Sequence, residues 1–235
     1  MQPNQRMLDS QGNEVCLFPL EYLHLSQGEH QLYAMDFLGW GPNGRIYDCP
    51  CYAPFSGSVV YTGNDHNMIY WSDAPVRCID NQLHDVTILV AHSMTAPGGV
   101  GTHYTQGDLW YHTGNYGFST GDHLHMEVAL GHVTWAAGGL HLNSPGHIYD
   151  IMCVNDTVID YGMGYNWRNY DGGVTPPTPV EEEEIKKFPW VLYARKLRNQ
   201  RLNWHFSLFL VYIRQRRYLI WLSLVLKNYQ EELMN

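Results

Sequence analysis

The sequence predicts a mainly β domain, followed by a linker and a helical tail, on three observations. From about residue 15 to residue 158, short apolar runs alternate with Gly, Asn, Asp and Pro and show little helical periodicity, the pattern of strands joined by turns. Near residues 162–174 the composition loosens, and Thr175-Pro176-Pro177-Thr178-Pro179-Val180 leads into four consecutive glutamates, which reads as a stiff, charged spacer. Residues 185–235 then contain no glycine and one proline, Pro189, among Trp, Leu, Tyr and Arg, a helical composition. The expected organisation is a domain over 1–170, a Pro/Glu-rich linker over 171–184 and a tail over 185–235.

Within the first domain, strands are expected over residues 45–47, 57–61, 67–71, 86–92, 109–113 and 123–129. Ser56-Gly57 turns the chain into the apolar run Ser58-Val59-Val60-Tyr61, and Gln106-Gly107-Asp108 similarly precedes Leu109-Trp110-Tyr111. Val86-Thr87-Ile88-Leu89-Val90-Ala91-His92 is an apolar run of strand length rich in β-branched residues. In His123-Leu124-His125-Met126-Glu127-Val128 polar and apolar residues alternate. On a strand, His123, His125 and Glu127 therefore share one face while Leu124, Met126 and Val128 enter the core.

Charge is unevenly spread. Residues 1–170 hold four basic residues (Arg6, Arg45, Arg77, Arg168) against 16 acids, a net −12, whereas residues 171–235 hold ten basic residues and seven acids, a net +3. An acidic body excludes nucleic acid as its expected partner, because phosphate binding needs clustered Lys and Arg. Twelve of the 13 histidines precede residue 170, an excess that suits a metal site. The five cysteines (Cys16, Cys49, Cys51, Cys78, Cys153) are odd in number and lack zinc-ribbon spacing, so they are expected to be buried apolar fillers rather than a disulfide framework. Cys49-Pro50-Cys51 alone is weak support for a metal or redox pair.

The opening Met1-Gln2-Pro3-Asn4-Gln5-Arg6 lacks the apolar core of a signal peptide, which places synthesis in a cytosol. The tail carries apolar runs at 206–213 and 218–226, separated by Arg214-Gln215-Arg216-Arg217. Three central arginines would cost roughly 8–10 kcal/mol on insertion, and each run falls short of the ~20 residues a span requires. A basic amphipathic helix or helical hairpin, on an anionic surface or in an oligomer contact, is expected instead.

Gly117-Phe118-Ser119-Thr120-Gly121-Asp122-His123-Leu124-His125-Met126-Glu127-Val128 closely resembles the signature of the M23 metallopeptidases, the lysostaphin and LytM-like peptidoglycan endopeptidases. Ser26-Gln27-Gly28-Glu29-His30-Gln31-Leu32-Tyr33-Ala34-Met35-Asp36-Phe37 resembles the first metal motif of that family, Val86 to His92 its apolar strand ending in a catalytic histidine, and Ala53-Pro54-Phe55-Ser56-Gly57-Ser58-Val59-Val60 a further segment in the family's order. The resemblance covers roughly residues 17–158. It implies a compact antiparallel β-sheet with the site in a groove between loops. It also implies a Zn²⁺ held by His30, Asp36 and His125, with His92 and His123 as the catalytic proton handlers, their individual tasks left open.

One departure concerns spacing. The family places three residues between the first histidine and the aspartate, whereas His30 and Asp36 enclose five. An extra loop must therefore bring the imidazole back, and Gly28-Glu29 is expected to supply a turn just before it. His24 is the competing ligand. His112 is expected to be a structural hydrogen-bonding group, and His66, His84, His103, His132, His141 and His147 to be solvated in polar loops. Trp71, Tyr104, Trp110, Tyr116 and Trp135 are candidates for the wall of a substrate groove, though core packing is the more ordinary role.

The implied function is a zinc-dependent endopeptidase that hydrolyses peptide bonds of cell-wall peptidoglycan. With its linker and basic tail the chain looks like a bacteriophage lysin, an endolysin or a tail-associated lysin, made in the host cytoplasm and acting at the wall. The tail would add attraction to teichoic acid or an anionic membrane surface. The alternatives are a catalytically degenerate M23 domain that binds wall, and a structural component of a phage tail.

Overall fold

The computed structural model describes residues 1–136 and 141–172, all within one compact unit, Met1–Thr175. The expected tail, and all but the start of the linker, lie outside the described residues. Strands dominate: β1 (Tyr22–His30), β2 (Ala34–Phe37), β3 (Trp40–Gly41), β4 (Gly44–Arg45), β5 (Pro50–Tyr52), β6 (Gly57–Thr62), β7 (Met68–Ser72), β8 (Val76–Arg77), β9 (Leu83–His84), β10 (Val86–Ala91), β11 (His103–Tyr104), β12 (Leu109–His112), β13 (Leu124–Leu130) and β14 (Val158–Tyr161). A single helical turn, α1 (Ile148–Ile151), precedes the last strand.

Eight strands form one sheet in the order β11-β6-β7-β10-β13-β2-β1-β14. The pairs are antiparallel except at one edge, where β1 and β14 run parallel. The expected antiparallel sheet is thus realised, with that edge as its one difference. The expected strand at 45–47 is shorter, since only Arg45 belongs to β4.

β10 and β13 lie at the centre because their sequences tolerate burial on both faces. Val86, Ile88 and Val90 of β10 join Leu124, Met126 and Val128 of β13 in the main core, with Phe18, Phe37, Phe55 and Tyr70. The opposite face carries a smaller cluster of Ile69, Leu89, Ala129 and Leu142. The alternation along β13 therefore turns His125 and Glu127 away from the main core. All five cysteines are buried and unpaired. Among the described residues, no helix is long and apolar enough to cross a membrane.

Candidate metal centre

The ladder places the central residues in one row. Ala91 of β10 faces His125 of β13, and His125 in turn faces Asp36 of β2. Residues directly opposite each other on paired strands present their side chains to the same face. His125 Nδ1 accordingly lies 3.0 Å from Asp36 Oδ1.

His30 ends β1, and the turn follows it rather than preceding it. Gly28 and Glu29 are strand residues, while Gln31, Leu32 and Tyr33 form the loop with φ of 41°, 64° and 70°. Three successive non-glycine residues in the left-handed region are uncommon. This loop, together with register shifts between Leu25 and Gln27 and between Gln27 and His30, absorbs the longer spacing. His30 Nε2 comes to 3.5 Å from Asp36 Oδ1. His24 stands elsewhere, with Nδ1 2.6 Å from Asp160 Oδ2 and its ring stacked on Trp40 at 3.8 Å.

His92 follows β10 with φ +83°, and its ring centroid is 4.8 Å from that of His123 and 5.8 Å from that of His125. The segment carrying Gly114 fixes both outer histidines. Gly114 exchanges backbone hydrogen bonds with His123 in both directions, and a Cβ at Gly114 would meet the His92 carbonyl oxygen at 2.2 Å. Only glycine permits that approach. Asp122, just before His123, accepts hydrogen bonds from Thr113 Oγ1 at 2.7 Å and from the Asp48 amide at 3.1 Å.

Backbone carbonyls orient three of the rings. Nδ1 of His30 donates to Gly28 O at 2.9 Å, that of His92 to Tyr116 O at 2.9 Å and that of His123 to Gly121 O at 2.7 Å. A carbonyl only accepts, so in the neutral ring the proton sits on Nδ1 and the Nε2 lone pair is free. Burial works against a charge on His125, yet the carboxylates of Asp36 and Glu127 outweigh it and push its pKa up to about 9. Burial also works against ionising Asp36, but the His125 hydrogen bond and the fields of His123, His125 and His30 hold it below the usual carboxylate range. For His92 burial lowers the pKa. The Tyr116 carbonyl opposes that shift, and His123 and His125 add to it.

His30, Asp36 and His125 each offer a donor atom, all within 4.8 Å of one another. Two ligands at 2.0–2.1 Å from a tetrahedral Zn²⁺ stand about 3.3 Å apart. The 3.0 and 3.5 Å separations about Asp36 Oδ1 bracket that value, so two imidazoles and a carboxylate here fit the ion. His92, His123 and His125 form a second set within the same limit, sharing His125 but lacking a carboxylate.

The histidines expected to be solvated all have partners. His66 stacks on Tyr116 at 3.8 Å and His132 on Trp71 at 4.8 Å, while His84 pairs with Asp80, His103 with Asp73, His141 with Glu127 and His147 with Glu29. Conversely the side chain of His112, expected to form structural hydrogen bonds, makes none among the described residues. Of the candidate groove aromatics, Trp110 is buried in the core, whereas Tyr116 is partly exposed and its carbonyl holds His92. Sequence reasoning gives no role to Glu127, which the structure places fully buried beside His125. Its only sequence signal is that it shares the strand face of the two histidines.

No family model matches the chain. The chain is 31% identical over 177 residues to morphogenesis protein 1 of Bacillus phage B103, a match that covers 69% of this chain. It spans about half of that relative's length, 46%. Similar solved structures include a zinc-containing peptidase from Vibrio cholerae, with 16% identity over 53% of this chain and 40% of that one at a TM-score of 0.37. Another is the catalytic domain of the antimicrobial peptidase lysostaphin from Staphylococcus simulans, with 17% identity over 54% of this chain and 85% of that one at a TM-score of 0.34.

Proposed function

We propose that the chain is a zinc metalloendopeptidase of M23 type that hydrolyses peptide bonds of bacterial peptidoglycan. The observation that carries this reading is the meeting of His30, Asp36 and His125 within 4.8 Å, with the imidazoles of His92 and His123 beside them. Bound by those three residues, Zn²⁺ would supply Lewis acidity, acidifying water and polarising the scissile carbonyl. Asp36 offsets the charge, and the ladder between β13 and β2 holds its carboxylate against His125 without further ordering. His92 and His123 present Nε2 atoms whose lone pairs accept a proton from the attacking water. The same Nε2, once protonated, hydrogen-bonds the developing oxyanion and delivers the proton to the leaving amine as the peptide C–N bond breaks. Mass spectrometry of Gram-positive wall fragments after digestion tests the reading: cut peptide stems or bridges with new amino termini support it, and cut glycan with intact peptides overturns it.

The phage relative favours a particular setting. A protein named for morphogenesis suits a lysin built into the virion, so a tail-associated lysin is preferred here to a free endolysin. The second reading, a structural component of the phage tail that binds wall without cutting it, draws on the same relative. Co-purification with virions and wall hydrolysis by those virions separate the two. The basic residues of 185–235 would add attraction to teichoic acid or an anionic membrane, where each Lys or Arg contributes about 1 kcal/mol near the surface.

A further inference from the structure

Glu127 is a carboxylate with no solvent exposure, opposite Leu89 in the central strand pair. It shares the sheet face of the apolar cluster of Ile69, Leu89, Ala129 and Leu142, lying opposite Leu89 and against the Leu142 amide, where an apolar residue of similar volume would avoid the cost of desolvating a charge. The acid is nevertheless fully engaged. Oε2 accepts the Leu142 amide at 2.8 Å, and Oε1 accepts from His141 Nδ1 at 2.6 Å. The same Oε1 faces His125 Nε2 at 3.7 Å, just beyond hydrogen-bond length, on the side of the ring away from Asp36.

We propose that Glu127, held in place by His141, is a positioning residue that fixes the orientation and tautomer of His125 for metal binding. Both ring nitrogens of His125 face a carboxylate, Nδ1 that of Asp36 at 3.0 Å and Nε2 that of Glu127 at 3.7 Å. For the Nδ1 lone pair to serve a metal beside Asp36, the one ring proton must sit on Nε2, where Glu127 is the acceptor. Outer partners of this kind set which imidazole nitrogen ligates, and losing one typically weakens metal affinity 10- to 100-fold. His141 keeps the carboxylate in register from the far side, which ties residues 141–142 to the site although they lie 14 or more positions from Glu127. The inference rests on the zinc reading above. A merely structural Glu127, pinning Leu142 and His141, predicts lost stability with unchanged affinity.

The test measures Zn²⁺ affinity of the full chain by competition with a chromophoric chelator, alongside thermal unfolding of the metal-free protein. In Glu127→Gln the single amide oxygen is claimed by the Leu142 N–H, and the NH₂ turns toward His125 and His141, favouring the wrong tautomer. The expected result is a Kd for Zn²⁺ raised about 10- to 100-fold. His141→Gln, at a partly exposed position, is expected to raise it about threefold or more; it decides the matter should Glu127→Gln fail to fold. Affinity within twofold of the parent in the deciding variant, whatever its melting temperature, overturns the inference. A parent chain that binds no zinc overturns the proposed function itself, whereas a parent that binds zinc beside a variant of equal affinity overturns this inference alone.

Discussion

His125 Nδ1 faces Asp36 Oδ1 across 3.0 Å because the two residues are direct partners in the ladder between β13 and β2. The contact is a property of strand register, not of loop conformation. A register slip of one residue would send both side chains to the opposite face. The Asp36–His125 pair is therefore fixed by the sheet itself, and on the proposed reading the residues around it divide into those that would hold the metal and those that would handle protons.

That division predicts two kinds of failure. His30→Ala, Asp36→Ala and His125→Ala should each lose zinc and wall hydrolysis together. His92→Ala and His123→Ala should retain about one zinc per chain while losing roughly 10²- to 10⁴-fold in rate. Elemental analysis of the purified variants, with hydrolysis rates on the same samples, checks this. Zinc retained by His30→Ala but lost by His24→Ala would move the first ligand to His24.

Gly114 offers a test that touches none of the proposed ligands. A methyl group there has 2.2 Å to the His92 carbonyl oxygen and 2.6 Å to the Met94 amide nitrogen, so Gly114→Ala must push the segment after β10 away. Misplacing catalytic groups by about 1 Å costs on the order of 10²-fold in rate, and overpacking costs about 1–3 kcal/mol. The expected outcome is a folded, zinc-loaded variant with a lower melting temperature and strongly reduced hydrolysis. Full activity would show that His92 needs no such constraint.

Far from the site, Asp9 predicts an acid limb of stability. Burial pulls its pKa upward, but hydrogen bonds from Asn13, Arg77 and Gln11 outweigh it and hold the carboxyl well below the usual range. Arg77 Nη2 lies 2.8 Å from it. A carboxyl whose folded pKa is depressed contributes stability above its unfolded pKa of about 4, and that contribution is lost as pH falls toward the folded value. Asp9→Asn should cost about 2–3 kcal/mol at pH 7, and the gap from the parent should narrow below about pH 4. Urea unfolding at pH 7 and pH 3 measures both; a gap that is constant with pH contradicts the assignment.

Much of the fold and of the site is legible in the amino-acid sequence, for reasons that differ by element. The alternation Leu124, Met126, Val128 against His125, Glu127 is a two-residue period that only a strand satisfies, so both the strand and its faces can be read directly. The hairpin of β1 and β2 is harder, because its loop uses Gln31, Leu32 and Tyr33 in left-handed conformations instead of the glycine that signals such a turn. Gly28 draws the expected turn too early. The partners of Glu127 and Asp9 cannot be read at all. His141 and Arg77 reach them through tertiary packing, across 14 and 68 residues, and no local pattern encodes that. Most of the histidines expected in solvent find their carboxylate, carbonyl or aromatic partners by the same means, whereas His84 meets Asp80 only four residues away.

The tail, residues 185–235, is predicted from its charge alone to bind anionic surfaces. Removing residues 181–235 should abolish salt-sensitive binding to walls or anionic liposomes while leaving hydrolysis of small soluble peptide substrates within about twofold. Binding and solution mass are read together in sedimentation and light-scattering experiments. Dissociation to smaller species without any change in binding would assign the tail to self-association instead.

The most direct test of the central claim is a zinc titration of the metal-free chain with purified Gram-positive walls, scored by new amino termini. The account predicts no release after EDTA treatment and recovery of hydrolysis that is complete near one equivalent of Zn²⁺. Amino termini released at full rate without zinc, or none at any zinc level by a folded chain that has bound the ion, would contradict it.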